Sequence, residues 1–380
     1  MDVIPREPAG DPMIKTFRAR NYGCLVDVTA QLTPLHAFIG PNDSGKSTLL
    51  HGMRTVVQLA TGTFSQREGR WVPFDPFLPA RLAEEKPTSD DILLGCGVEG
   101  GWYSYEVSRG GPEERVSHIG SGDTFGSGPY ASKTFRLVTE GSELGYAAHG
   151  SEDKVFPQLA TARLVRFDPD ALRKPSGLIP EVHSVEFVDE RGFGLPGVYF
   201  ALRNLGDDVF PSIVDDVRRH FQTVKGLRVK AVSSSTVELE IELRNGARVG
   251  AERMSEGLLY YLAFAALRHL QPASLLLVEE PENGLHPARV AEVVKILRAI
   301  VKETGTQVVI ATHSPLVINE LEPEEVSVVT RTEEAGTKVT PISETHNFEK
   351  RSSIYALGEL WLSYANGVDE EPLLHGREAP

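Results

Sequence analysis

The stretch that most constrains this chain is Gly40-Pro41-Asn42-Asp43-Ser44-Gly45-Lys46-Ser47, which fits G-x-x-x-x-G-K-S/T. It follows the apolar run His36-Ala37-Phe38-Ile39 and precedes Ser47–Ala60, whose Leu49, Leu50, Met53, Val56 and Val57 fall at helical spacing. The local expectation is strand, glycine-rich turn, helix. Glycines let the backbone wrap so that successive N–H groups point inward at phosphate oxygens. Lys46 adds a positive charge at the β- and γ-phosphates, the Ser47 hydroxyl can ligate Mg²⁺, and the helix aims its positive N-terminus at the anion. The expected phosphate-binding set is therefore Gly40, Pro41, Asn42, Asp43, Ser44, Gly45, Lys46, Ser47 and Thr48.

A second apolar strand, Leu275-Leu276-Leu277-Val278, runs into two carboxylates, Glu279 and Glu280. In open α/β sheets such a strand delivers its last residues to the edge where ligands bind. One carboxylate can hold Mg²⁺ through its water shell, and the next can polarise an attacking water. Pro281-Glu282-Asn283-Gly284-Leu285-His286-Pro287 follows at once, and His286 either lines a subunit contact or caps the next helix. One strand–helix unit later, Ala311-Thr312-His313-Ser314-Pro315 closes another apolar strand, where His313 can hydrogen-bond a γ-phosphate and sense its loss. Upstream, Arg253-Met254-Ser255-Glu256-Gly257-Leu258 opens an apolar helix. Ser255, Glu256 and Gly257 there read either as an ordinary N-cap or as a second anion site.

Beyond the motifs, the C-terminal half alternates strand and helix: helix Met254–Leu270, strand Ser274–Val278, helix Pro287–Thr304, strand Gln307–Ala311, late strands Glu325–Thr330 and Lys338–Pro341, closing helix Phe348–Tyr364. That pattern is α/β. Residues 95–150 hold 13 of the chain's 35 glycines, with alternating stretches such as Trp102–Val107, and read as hairpins or long loops. Asp207–Phe221 reads as a helix. Leu227–Val232 and Thr236–Arg244 read as strands, with a turn at Asn245-Gly246. With 41% hydrophobic residues in 380, a sizeable core is expected. The net charge of −14 argues against coating nucleic acid by bulk charge. The clearest local basic cluster is Lys225, Arg228 and Lys230. Cys24 and Cys96 are too few for a disulfide framework or a four-ligand zinc site, so a reducing cytoplasm is the expected home. No apolar run reaches the ~18 residues of a membrane span, and the first residues lack the regions of a signal peptide.

Together these residues resemble the ATP-binding-cassette superfamily of head ATPases, to which SMC, RecF and OLD-type proteins belong. Glu279–Pro287 and Thr312-His313-Ser314-Pro315 are most similar to the OLD-type, AAA-family ATPases, as are Ile14–Tyr22 and Ile39–Leu50. The resemblance runs over about residues 13–364. It implies a P-loop NTPase of ABC-type head fold: an α/β, mixed sheet with flanking helices plus an antiparallel β-rich lobe. It also implies ATP and Mg²⁺ as cofactors, held in a head-to-tail homodimer. Lys46 and Glu280 of one subunit would face Ser255 and Gly257 of the other, and Asn283–His286 would cross the interface. Ser47 and Glu279 are the expected Mg²⁺ residues, Glu280 and His313 the expected catalytic ones.

The departures are informative. Asp43 replaces a commoner Gly, Glu279 a commoner Asp, and Met254-Ser255-Glu256-Gly257 stands where transporters carry Leu-Ser-Gly-Gly. Gln58 and Gln66 are the candidates for the family's Q-loop. The glycine- and proline-rich insert forbids a long coiled coil. Only 67 residues follow His313, too few for the Toprim domain of OLD nucleases, so a nuclease effector would be a separate chain. The expected organisation is a mobile leader (1–12), a single head (13–364) with its core in 13–60 and 250–345 and an insertion lobe over 61–249, and a mobile acidic tail (365–380). The functional expectation is an ATP-dependent switch acting on nucleic acid or controlling an effector, in repair or anti-phage defence. A RecF-like loader and an ATP-binding scaffold with little turnover stay open beside it.

Overall fold

The computed structural model describes residues 14–61, 92–98, 101–108, 115–120, 133–136, 161–179, 184–204, 208–332, 336–345, 348–352 and 354–365. The leader, nearly all of the tail and Gln66 lie outside them. The chain divides into two compact units, one built from residues 1–163, 273–277 and 307–380, the other from 164–272 and 278–306.

The first unit holds one six-stranded sheet and most of a second. One runs in the order β2-β1-β4-β5-β6-β7 and comprises β1 (Thr16–Tyr22), β2 (Leu25–Gln31), β4 (Ile92–Val98), β5 (Gly101–Ser108), β6 (Arg115–Gly120) and β7 (Lys133–Arg136). Every neighbouring pair in it is antiparallel, and β5, β6 and β7 match the hairpin alternative for the glycine-rich stretch. The other comprises β3 (Leu35–Ile39), β8 (Ala162–Val165), β13 (Leu275–Glu279), β14 (Gln307–Thr312), β15 (Val326–Thr332) and β16 (Gly336–Pro341), in the order β16-β15-β3-β14-β13-β8. β3 pairs in parallel with both β14 and β15, and β15 with β16 antiparallel. Strands covered on both faces need continuous apolar runs, and all of β3, β13 and β14 is buried. Helix α1 (Lys46–Thr61) packs on strands of both sheets through buried Leu49, Leu50, Met53, Val56 and Val57. His36 lies inside this core, Nε2 3.1 Å from Ser327 Oγ and its ring edge-on to Phe38. Burial lowers its pKa to about 4, so it is neutral at pH 7.

The closing helix expected over Phe348–Tyr364 is two helices, α8 (Phe348–Ser352) and α9 (Leu357–Ala365). One tertiary contact and one local cap hold the first turn of α9. The Gly358 N–H donates to Asn319 Oδ1 at 2.8 Å, and Glu359 accepts from the Ala356 N–H at 3.2 Å.

The second unit surrounds α5 (Glu256–Leu267), which is buried at every residue from Leu258 to Leu267. A helix apolar on all sides must be covered on all sides. Here α2 (Pro169–Leu172), α3 (Leu195–Asn204) and α6 (Pro287–Thr304) pack against it. The buried Tyr199 hydroxyl of α3 donates to Leu262 O at 2.9 Å. α6 has the expected bounds, with Pro287 in its first turn and Gly305 closing it at φ +69°. α4 (Val209–His220) lies on a small sheet of β9 (Ser176–Gly177), β10 (Val224–Ala231), β11 (Thr236–Leu243) and β12 (Arg248–Gly250), with Asn245-Gly246 turning β11 into β12. The basic cluster on β10 faces acids of β11: Lys225 to Glu242 at 2.6 Å, Lys230 to Glu238 at 2.7 Å, and Arg228 in register with Glu240.

Candidate nucleotide-binding site

In the first unit the chain leaves β3 at Ile39 and turns through the glycine-rich loop into α1. Two glycines are required by contact. A Cβ on Gly40 would stand 2.2 Å from Val329 O of β15, and one on Gly45 2.6 Å from Thr337 Oγ1 and 2.9 Å from Cys24 Sγ, at φ +107°. Asp43 takes φ +62°, a left-handed conformation that Asp tolerates better than most side chains. That accounts for an Asp where Gly is commoner. Lys46, 8% exposed, folds back across the loop and donates to Gly40 O at 2.8 Å and Pro41 O at 2.7 Å. Ser44 Oγ is buried and has no hydrogen-bond partner among the described residues. Pro41, Asn42, Asp43 and the Ser47 hydroxyl form the exposed rim, with Thr48 half-buried behind it.

β15 and β16 clamp the loop from behind. Thr337 Oγ1 donates to Ser44 O at 2.9 Å, and Arg331 reaches Asp43 O at 3.4 Å. Val329, Arg331 and Thr337 were not singled out from the sequence. They lie almost 300 positions from the loop and belong to no motif, and only the parallel pairing of β3 and β15 brings them there. His313 is exposed just beyond β14. Thr312 is in register with Ile39, so His313 and Gly40 leave neighbouring strands at the same edge. Ser314 then caps the short helix α7 (Pro315–Ile318), accepting from the Leu316 N–H.

The second unit carries the other predicted residues. Glu279 ends β13 with a buried carboxylate, Oε2 3.6 Å from Arg166 Nη1. Glu280 follows with φ +47°, its Oε2 accepting from Asn283 Nδ2 at 2.6 Å. His286 is the N-cap of α6, Nδ1 accepting from the Ala288 N–H at 3.3 Å, which matches the capping alternative. The helix expected from Met254 begins only at Glu256, because Met254 and Ser255 are extended at ψ 146° and 147°. Ser255 occupies the N-cap position without a side-chain cap bond, leaving its exposed hydroxyl uncommitted to α5. Glu256 is 3.8 Å from Arg173, which closes α2. Gly257 lies against the Asn283–His286 turn, where a Cβ would stand 3.2 Å from Gly284 O. Arg166 and Arg173 were likewise not singled out; nothing in the sequence around them marks a partner more than 80 positions away.

The loop's donor set suits the phosphates of a nucleotide. The loop presents two Cβ-less walls, a buried hydroxyl and a lysine. Taken separately, Ser47 in the loop and Glu279 in the second unit each carry an oxygen of the kind Mg²⁺ takes. Among the described residues no group of three or more His, Cys, Asp or Glu is placed to hold a metal on its own.

The fold is that of an ABC-type P-loop ATPase head, of mixed α/β construction. The structure of an SMC head bound to the C-winged helix domain of ScpA matches with TM-score 0.56 at 16% identity, over 87% of this chain and 98% of that one. A Pyrococcus furiosus Smc head with an extended coiled coil, bound to the C-terminal domain of ScpA, matches at 0.49 and 14% identity, over 92% and 100%. A Thermotoga maritima SMC head matches at 0.40 and 14%, over 86% and 98%. Residues 143–319 match the family described as "AAA domain, putative AbiEii toxin, Type IV TA system". That span begins after the phosphate loop and takes in Ser255–Gly257, Glu279–His286 and His313. No curated protein matches the chain. No helix among the described residues is long and apolar enough to cross a membrane.

Proposed function

We propose that this chain binds and hydrolyses ATP and works as a dimeric switch, an OLD-type head that controls an effector on a separate chain. The observation that carries the reading is the loop itself: a strand-to-helix turn that admits no Cβ at Gly40 or Gly45, crossed by the Lys46 ammonium. In this reading loop N–H groups from Gly40 to Thr48 bind the phosphates, and Lys46 exchanges its carbonyl partners for β- and γ-phosphate oxygens. Ser47 and Glu279 hold Mg²⁺, which supplies charge neutralisation for the phosphates. Glu280 takes the proton of the attacking water, and its bond from Asn283 supports this by fixing the carboxylate's direction. His313 reads the γ-phosphate. Ser255, Glu256 and Gly257 meet the partner subunit's nucleotide in a head-to-tail pair, and the exposed, uncommitted Ser255 hydroxyl supports that role.

A defence setting is favoured over a repair loader by the toxin–antitoxin wording of the matched family. The pairing of Lys225 and Lys230 with acids removes the most basic stretch as a ready DNA surface. Two free cysteines are consistent with a cytoplasmic home. The test is calorimetry with a non-hydrolysable ATP analogue, alongside steady-state ATPase. Lys46→Ala should weaken binding by about 10- to 150-fold, the worth of a charge-assisted contact. Equal affinity in the variant would remove the loop from the site. Tight binding without turnover would leave the scaffold reading.

A further inference from the structure

The buried carboxylate of Glu279 has a close cationic neighbour. Its side chain is 4% exposed, and a carboxylate taken out of water is costly unless a cation or donors meet it. Arg166, the residue after β8, reaches it with Nη1 3.6 Å from Oε2. β8 and β13 are neighbours in the sheet. The root of Arg166 is fixed, its N–H donating to Glu190 O at 2.8 Å. Its side chain is 66% exposed. A long side chain anchored at the backbone and largely exposed can swing aside without moving its strand. A second cation taken up by the same carboxylate would be repelled by the guanidinium at close range.

We propose that Arg166 is an internal counter-ion that competes with Mg²⁺ for Glu279, and so sets the Mg²⁺ level at which the site loads. This rests on the reading of Glu279 as the magnesium carboxylate. Arg166 leaves Glu279 as Mg²⁺ is taken up and returns when it is lost.

The test measures calorimetric affinity of the full-length chain for a non-hydrolysable ATP analogue over a Mg²⁺ series. The proteins are wild type, Arg166→Ala, Arg166→Lys, Glu279→Gln and the Arg166→Ala/Glu279→Gln double variant. Arg166→Ala should lower the half-effective Mg²⁺ concentration about two- to fivefold, the range open to a solvent-exposed ion pair. Arg166→Lys should stay near wild type. In the Glu279→Gln background the Arg166→Ala change should have no further effect. An unchanged or raised Mg²⁺ requirement in Arg166→Ala, or an equal shift in the Glu279→Gln background, overturns the inference. Should Arg166→Ala fail to fold, as nucleotide-free melting would reveal, Arg166→Gln is read by the same criteria. Failure of the underlying reading is separately visible: wild-type binding would then be indifferent to Mg²⁺, and Glu279→Gln would shift nothing.

Discussion

Gly40→Ala adds a single methyl group at the tightest point of the phosphate loop. That carbon would stand 2.2 Å from Val329 O and 2.7 Å from Ser44 Oγ, whereas ordinary contact begins at roughly 3.5 Å. The serine hydroxyl can rotate away; the carbonyl cannot. Val329 sits in β15 between two partners, in register with Val339 of β16 and next to Val328, which is in register with Ile39. Relief of the clash therefore requires β3 and β15 to part by about 1 Å where they meet the loop. Overpacking of this kind costs about 1–3 kcal/mol. The same movement shifts the two carbonyls that hold Lys46, so nucleotide affinity should fall as well. Gly250→Ala is the matched control, because nothing lies within 4 Å of its added carbon. It should be neutral within about 0.5 kcal/mol. Urea unfolding of both variants, followed by circular dichroism, gives the stabilities, and calorimetry gives the affinity. If Gly40→Ala were as stable and bound as tightly as Gly250→Ala, the loop would not be held as described.

Three further outcomes are expected. Glu280→Gln should bind ATP normally and hydrolyse it about 10²–10⁴-fold more slowly, measured as steady-state phosphate release; normal turnover would pass the role to another group. Ser255→Arg should keep ATP binding in calorimetry while losing the ATP-dependent dimer in light scattering, since the added bulk meets the partner and not the chain's own nucleotide. Asp168 caps α2 and accepts from Arg191 at 2.8 Å, and that hydrogen bond is the main cause of its lowered pKa. Its contribution to stability is thus complete above its unfolded pKa of about 4 and disappears as pH falls through the lower folded value. Asp168→Asn should flatten that part of the acid-unfolding profile.

What could be read in advance was whatever the chain punctuates locally. α6 has its bounds because Pro287 and Gly305 mark both ends, and β13 and β14 are apolar runs too short for helices. The helix at Glu256 starts two residues later than its apolar content suggests, since that content alone does not show that Met254 and Ser255 are extended. At the start of α9, Asn319 reaches Gly358, a contact without a local signature. The same division holds at the site. Gly40–Ser47 and Glu279-Glu280 announce themselves by spacing, whereas Thr337, Arg331 and Arg166 join only when strands distant in sequence become neighbours.

Glu280 holds φ +47°, a region where a side chain carries a penalty of about 1 kcal/mol or more that glycine escapes. Its neighbours Glu279 and Pro281 are buried on either side, so the backbone there has little room to relax. A glycine or asparagine at this position would suit the fold better than the carboxylate does. In a population of variants screened for stability alone, the residue proposed to activate water would be among the first to drift. The fold and the proposed chemistry therefore pull this one position in opposite directions.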